Sequence, residues 1–79
     1  TKEYPNALTC YQQALTINEK HSKADGMAIN LYNMGLTYEA LGNQPAAQPL
    51  FKRAGHFAKS AFKPGDPLLE RIASSVIPG

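Results

Sequence analysis

Three side chains in this sequence are of types that take part in nucleophilic or acid–base chemistry, namely Cys10, His21 and His56. A cysteine nucleophile needs a base beside it, and a zinc ion needs several cysteine or histidine ligands at regular spacing. The two histidines are isolated in sequence, and no HExxH pair, GxSxG turn, glycine-rich phosphate loop or close carboxylate pair occurs. We therefore expect no enzyme, no metal and no cofactor, and we interpret Cys10 as a surface thiol.

Length and composition leave room for one small domain. The 79 residues are 43% hydrophobic and 18% charged, and the formal net charge is +2. A chain of this size buries only about 60% of the surface that its unfolded form exposes, so it can hold a single core. The longest apolar runs cover three or four residues, far short of the ~20 that a membrane-spanning helix needs. We therefore do not expect a membrane partner.

The single cysteine gives an indication of the cellular compartment. Cys10 has no partner for an internal disulfide, which favours a reducing environment, and we expect the protein in the cytoplasm. Because the chain opens with Thr1 and not with methionine, we interpret it as an excised fragment or a processed product.

Glycine and proline divide the chain into segments of helical length. Within each segment the apolar residues recur at three-, four- and seven-residue spacings, whereas strict alternation never persists beyond four residues. The second segment is apolar on more than one side, which predicts a helix packed on two faces. The predicted helices cover residues 4–20, 25–41, 45–62 and 67–76.

Residues at the segment boundaries predict how the helices begin and end. Pro5 and Pro67 suit the first helical turn, where a missing N–H leaves no bond unmade. Asp25 and Asp66 are predicted N-caps, because a carboxylate accepts hydrogen bonds from the free backbone N–H groups of a first turn. Gly42 is predicted to follow the second helix in the left-handed conformation.

The chain repeats itself at an offset of forty residues, with residues of similar size meeting at each matched position. The pairs are Pro5 with Pro45, Ala7 with Ala47, Tyr11 with Phe51, Ala14 with Ala54, and Ile17 with Phe57. Small alanines allow two helices to approach closely, and a large ring fills the space between neighbours. A period of this length is typical of stacked helical pairs.

The helix between the two copies carries a second pattern, in which large residues precede a glycine and then a tyrosine. The residues are Leu31, Met34, Gly35 and Tyr38, followed on the next helix by Ala47, Phe51 and Ala54. Together they resemble the tetratricopeptide repeat, and the forty-residue spacing resembles the extended variety found in kinesin light chains and many bacterial repeat proteins. Gly55 departs from the first copy, which has Leu15 there, so we expect looser packing at the end of the third helix.

The resemblance implies an all-α fold of antiparallel helix-turn-helix repeats, stacked as a short right-handed α-solenoid of about four helices. Residues 1–79 would be a single fragment of such an array. Within it, residues 4–20 would be the second helix of one repeat, residues 25–62 one full repeat, and residues 67–76 a capping or truncated helix.

The resemblance also implies a concave groove for a partner segment, lined by the first helix of each repeat. On the second predicted helix, the residues that packing leaves free are expected to line or flank this groove. They are Ile29, Tyr32, Asn33, Leu36, Glu39 and Ala40. Asn33 matches by position the asparagine with which peptide-binding members hold a ligand backbone, since an amide offers a donor and an acceptor. The alternatives are a solvated or neighbour-bonded Asn33, and apolar residues that an adjacent repeat covers.

The expected function is a protein-interaction scaffold that binds a peptide or partner segment. The alternative is a structural element that forms homo-oligomers through exposed repeat faces. Four positive side chains and no carboxylate lie between Ala40 and Gly65, and we interpret them as a solvated outer surface. An acidic partner is the other interpretation, and nucleic acid is not expected because no aromatic residues are interleaved with these charges.

Overall fold

The computed structural model describes the backbone of residues 4–76 and the side chains of residues 6–76. This part of the chain forms four α-helices and no strand. They are α1 (Tyr4–Lys20), α2 (Ala24–Ala40), α3 (Gln44–Ala61) and α4 (Pro67–Ser75). The all-helical prediction is confirmed, and each helix end lies within one residue of the predicted one. Residues 1–3 and 77–79, which the predicted fragment includes, lie outside the described residues.

Polar side chains cap the starts of α3 and α4. Asn43 Oδ1 accepts a hydrogen bond from the backbone N–H of Ala46 at 3.3 Å. Asp66 Oδ1 accepts one from the N–H of Leu68 at 2.8 Å, and Pro67 occupies the first helical position. The predicted cap at Asp66 is therefore confirmed.

The predicted cap at Asp25 is wrong. Helix α2 begins one residue earlier, at Ala24, and the residue before it is Lys23, whose side chain makes no capping hydrogen bond. Asp25 consequently lies in the first turn, where its carboxylate accepts from the N–H of Gly26 at 2.8 Å. A negative charge there still interacts favourably with the helix dipole.

The turns after α1 and α2 have the same geometry. Each contains a left-handed residue, with φ of 54° at Ser22 and 76° at Gly42. In both turns the N–H of that residue donates to the carbonyl three residues back, and the next N–H donates to the carbonyl five residues back, at 2.8 to 3.1 Å. This Schellman motif pairs carbonyls that a helix end leaves free. The left-handed prediction for Gly42 is confirmed, and Ser22 adopts the same conformation in spite of its Cβ.

Helices adjacent in sequence are adjacent in space. Helix α2 packs against α1 on one side and α3 on the other, which confirms the two-faced packing predicted for it, and α4 packs against α3. The core draws mainly on α2 and α3, with one residue each from α1 and α4. Its members are Leu15, Met27, Ala28, Leu31, Tyr32, Met34, Ala47, Phe51, Ala54, Ala58 and Ile72.

Gly35 allows α2 and α3 to approach closely at the centre of this core. A Cβ atom placed on Gly35 would lie 2.5 Å from Cε1 of the Phe51 ring. Phe51 is fully buried, and its ring also packs against Tyr32 with the centroids 5.8 Å apart. Because protein interiors are close-packed, the Phe51 ring could not occupy this place if a residue larger than glycine stood at position 35.

A hydrogen bond between two amides joins α1 to α2. Asn18 Nδ2 donates to Asn30 Oδ1 at 2.6 Å, and both side chains are partly buried. A Cβ atom on Gly26 would lie 2.6 Å from the Asn18 amide. Because glycine has no side chain, Gly26 leaves room for the Asn18 amide, which joins the two helices.

The two copies of the forty-residue repeat are buried to different degrees. On α3, Ala47, Phe51 and Ala54 are fully buried, whereas their counterparts on α1 are only partly buried. Likewise Phe57 is partly buried while its counterpart Ile17 is 58% exposed. Helix α3 has neighbours on two sides, whereas within the described part of the chain α1 packs mainly on α2.

The molecule measures 36 × 31 × 19 Å along its principal axes, with a radius of gyration of 12.1 Å. None of the helices described is long and apolar enough to cross a membrane. The long dimension sets the scale of the distances between sites on its surface.

Candidate functional site

Four residues of α2 form a surface strip that we call the α2 stripe. It consists of Ile29, Asn33, Leu36 and Ala40. Their spacings of four, three and four residues place them within about 60° of one another around the helix axis. Ile29 and Leu36 are each 39% exposed, although both are large and apolar. The core faces of α2 point elsewhere, so this stripe is the side that the fold leaves open.

Asn33 is the polar residue of the α2 stripe. Its side chain is half-buried, and its amide makes no hydrogen bond to any described residue. Its backbone carbonyl accepts a hydrogen bond from Thr37 Oγ1 at 2.9 Å. The described residues therefore give the Asn33 amide no hydrogen-bonding neighbour, and its donor and acceptor are of the kind that can hold a ligand.

Tyr32 does not line the open side of α2 as the sequence suggested. Its side chain is only 8% exposed, because its ring lies toward α3 and packs on Phe51. The expectation that packing leaves Tyr32 free is wrong. The Tyr32 ring packs on the same Phe51 ring that contacts Gly35, so Tyr32 supports the α2 stripe from the side.

Glu39 lies near the C-terminal end of α2, on the flank of the stripe. It is exposed, and its Oε2 accepts a hydrogen bond of 3.4 Å from Gln44 Nε2 at the start of α3. Because this bond is long and exposed to water, the carboxylate remains accessible to a positive group of a partner.

The residues considered for chemistry all lie on the surface. Cys10 is a free, exposed thiol, and His21 and His56 are exposed as well. No group of three or more His, Cys, Asp or Glu side chains among the described residues could hold a metal ion. The His56 ring makes an edge contact with Phe57, with the centroids 5.3 Å apart.

Two grooves lie on other sides of the molecule. The α1–α2 groove has a volume of about 330 Å³ and is lined by Leu8, Thr9, Gln12, Gln13, Met34 and Tyr38. The α3–α4 groove has a volume of about 360 Å³ and is lined by Lys52, Gly55, His56, Lys59, Leu69, Ala73 and Val76. Neither lining includes a residue of the α2 stripe.

Sequence reasoning missed the α3–α4 groove. The four- and three-residue spacings of Lys52, His56 and Lys59 indicate one shared face of α3. The sequence does not fix where α4 docks, however, so these residues were indistinguishable from a solvated surface. In the structure α4 packs beside that face and turns it into the wall of a groove.

Helices packed in sequence order, with a glycine and alanines at their close contacts, define an α-helical repeat protein. Among known families, the tetratricopeptide repeat matches the sequence over residues 1–54, which take in α1, α2 and α3 as far as Ala54. The chain belongs to the tetratricopeptide repeat family, whose repeats in general mediate protein–protein interaction. The predicted resemblance is thereby confirmed. Comparisons with curated proteins and with solved structures gave no significant match.

Proposed function

We propose that this protein is a scaffold that holds an extended segment of a partner protein on the α2 stripe. In this proposal α2 and α3 form one repeat unit, α1 is the second helix of the preceding unit, and α4 is a capping or truncated helix. The stripe is then the exposed side of the first helix of a repeat, which is the side that lines the concave groove in this family.

The observation that carries the proposal is the Asn33 amide, which has no hydrogen-bond partner among the described residues and lies between two exposed apolar side chains. A primary amide can donate to a peptide carbonyl and accept from a peptide N–H, so it binds a backbone irrespective of sequence. Ile29 and Leu36 lie one turn away on either side, where they can contact alternate side chains of the bound segment. Backbone recognition and side-chain selection are thus combined on one face.

The length of the stripe limits the size of the bound segment. From Ile29 to Ala40 the helix rises about 16 Å, which corresponds to roughly five residues of extended chain. A site of this size gives modest affinity by itself. A partner gains more when neighbouring repeats extend the groove.

The flanking residues have separate parts in the proposal. Tyr32 fixes the position of the stripe by packing on Phe51, and it contributes no contact area of its own. Glu39 supplies a negative charge at one end of the stripe, which favours a lysine or arginine in the corresponding part of the partner segment.

The test begins with selection of binding peptides from a random displayed library on the full 79-residue chain. Affinities of the selected peptides are then measured by fluorescence polarisation. Replacing Asn33 with alanine removes two hydrogen bonds to the ligand backbone, so we expect a loss of about tenfold in affinity. Leu36→Ala should change which peptides are selected, because it alters a side-chain contact and leaves the backbone clamp intact.

Asn6→Ala is the matched control, since Asn6 is an exposed asparagine on α1 and lies outside the stripe. It should leave every affinity unchanged. If Asn33→Ala and Asn6→Ala behave alike for all selected peptides, the backbone clamp is wrong.

Self-association is the second candidate function, and two exposed side chains favour it. Ile17 is 58% exposed near the end of α1, and Leu41 is 49% exposed just after α2. Light scattering over a range of protein concentrations separates the candidates. A chain that stays monomeric at all concentrations rules out self-association, while a dimer that Ile17→Ser or Leu41→Ser dissolves would establish it.

A further inference from the structure

The α3–α4 groove combines a positive wall with an apolar floor. Lys52 and Lys59 give the wall its positive charge, and His56 lies between them along α3. Leu69, Ala73 and Val76 form the floor, contributed by α4 and the residue after it. No carboxylate lies among the lining residues.

The positive charge of this wall is not neutralised within the described part of the chain. Helix α3 contains no aspartate or glutamate, and neither Lys52 nor Lys59 makes an ion pair with a described residue. The neighbouring Arg53 does pair, with Glu19 of α1 at 3.7 Å, but it is not part of the groove. Two lysines on one wall therefore favour a negatively charged occupant.

The space in the groove depends on Gly55. A Cβ atom built there would meet nothing nearer than Cγ2 of Ile72, at 4.0 Å, so the position opens onto free volume. The departure of Gly55 from the leucine of the first repeat copy thus leaves a recess between the wall and the floor. At about 360 Å³ the groove is at the small end of ligand sites, which suits one or two aliphatic side chains better than a whole cofactor.

We propose that the α3–α4 groove binds an acidic amphipathic segment of a partner protein. An aliphatic side chain of the segment lies over Gly55 against Leu69 and Val76. Carboxylates on either side of it pair with Lys52 and Lys59. The surface is separate from the α2 stripe, so this proposal does not depend on the proposed function.

The lining favours a protein segment over nucleic acid. Binding of single strands relies on aromatic side chains on which bases stack, and none lines this groove. The apolar floor would gain nothing from phosphate groups, whereas it can bury a leucine or isoleucine. Charge and apolar area together match a segment with glutamate and leucine at helical spacing.

The test uses a short fluorescein-labelled peptide with glutamate and leucine at three- and four-residue spacing, titrated with the full chain. Lys52→Gln combined with Lys59→Gln should weaken binding about fivefold, since each exposed ion pair contributes modestly. Lys20→Gln combined with Lys23→Gln is the matched control, because it removes the same charge from exposed sites that do not line the groove. An equal loss in both double variants would show a general charge effect and overturn the proposal.

A second variant tests the recess without changing the charge. Gly55→Leu should fill the groove and abolish peptide binding, while circular dichroism shows an intact helical fold. Unchanged binding by a folded Gly55→Leu protein contradicts the proposal, as does an oligothymidine that binds as tightly as the peptide. Peptides selected for the α2 stripe should bind both groove variants normally, so either proposal can fail without the other.

Discussion

Two glycines of the helical repeat occupy opposite environments. Gly35 faces the Phe51 ring at a distance that excludes even a methyl group, whereas a Cβ atom on Gly55 would meet Cγ2 of Ile72 at an ordinary contact distance of 4.0 Å. Both lie inside helices, where glycine is less favourable than alanine by about 1 kcal/mol. The same substitution at the two positions therefore separates a packing requirement from a helix-propensity effect.

We expect Gly35→Ala to lower the free energy of unfolding and Gly55→Ala to raise it. At Gly35, forcing the Phe51 ring aside costs about 1–3 kcal/mol, which outweighs the gain in helix propensity. At Gly55 only the propensity gain of about 1 kcal/mol remains. Urea unfolding followed by circular dichroism measures both, and a Gly35→Ala protein as stable as the wild type would show that the ring moves freely.

Residue by residue, the sequence predicted the packing positions better than the open ones. The large–glycine–tyrosine pattern put Gly35 among the packing positions, and in the structure the Phe51 ring lies against it. The burial of Tyr32 could not be predicted, since its position borders both the stripe and α3. The direction of the Tyr32 ring depends on the space beside Phe51, and that space cannot be derived from a sequence pattern.

At the scale of the helices, two ends share one hydrogen-bonding motif but differ in the residue that closes it. Gly42 and Ser22 are both left-handed, yet only glycine adopts that conformation without steric cost. For a residue with a Cβ the cost is roughly 1–2 kcal/mol. The turn after α1 is thus a position where stability has not been maximised.

Ser22→Gly should raise the free energy of unfolding by about 0.5–1 kcal/mol, because relief of the left-handed strain exceeds the added freedom of the unfolded chain. Gly42→Ala is the converse change and should lower it by about 1 kcal/mol. Thermal unfolding of the two variants beside the wild type checks both signs. A Ser22→Gly protein that melts below the wild type would mean that the serine hydroxyl stabilises this turn.

Helix ends were predictable to within one residue because glycine and proline mark them. The start of α2 lies within the same margin, but its predicted capping residue was wrong. Its first residue is set by the backbone hydrogen bonds of the preceding turn, in which Lys23 N–H donates to the Asn18 carbonyl at 2.9 Å. That turn contains no glycine or proline to mark the start of the helix, so Asp25 was predicted as the cap from its residue type alone.

At the scale of the whole molecule, the contacts link each helix to the next one along the chain. Helices α2 and α3 hold nine of the eleven core residues, while α1 and α4 contribute Leu15 and Ile72 alone. A stack of this kind has a stability close to a sum over neighbouring contacts, so its outer members open more readily than its centre.

We expect native-state hydrogen exchange to show this gradient. Amides in the middle of α2 and α3 should be the most protected, and those of α4 should exchange at least about tenfold faster, a difference of ~1.4 kcal/mol. Asp66→Ala, which removes the α4 cap, should speed exchange in α4 alone. Equal protection across all four helices would instead show a single cooperative unit.

The stacking order was predictable from the forty-residue period, but the groove beside α4 was not. The fourth helix departs from the repeat pattern, and it is held in place by contacts that the forty-residue period does not predict. Ile72 is fully buried, and Gln48 Nε2 donates to the carbonyl of Ser75 at 3.1 Å. These contacts fix α4 beside the lysines of α3 and so create the recess at Gly55.

The 36 Å length of the molecule has a consequence for partners that carry two binding segments. An extended chain of about ten or eleven residues spans this length. A single partner with one segment for the α2 stripe and an acidic one for the α3–α4 groove could therefore engage both through a short linker. The second contact would form at millimolar effective concentration, so two weak sites would act together as one tight one.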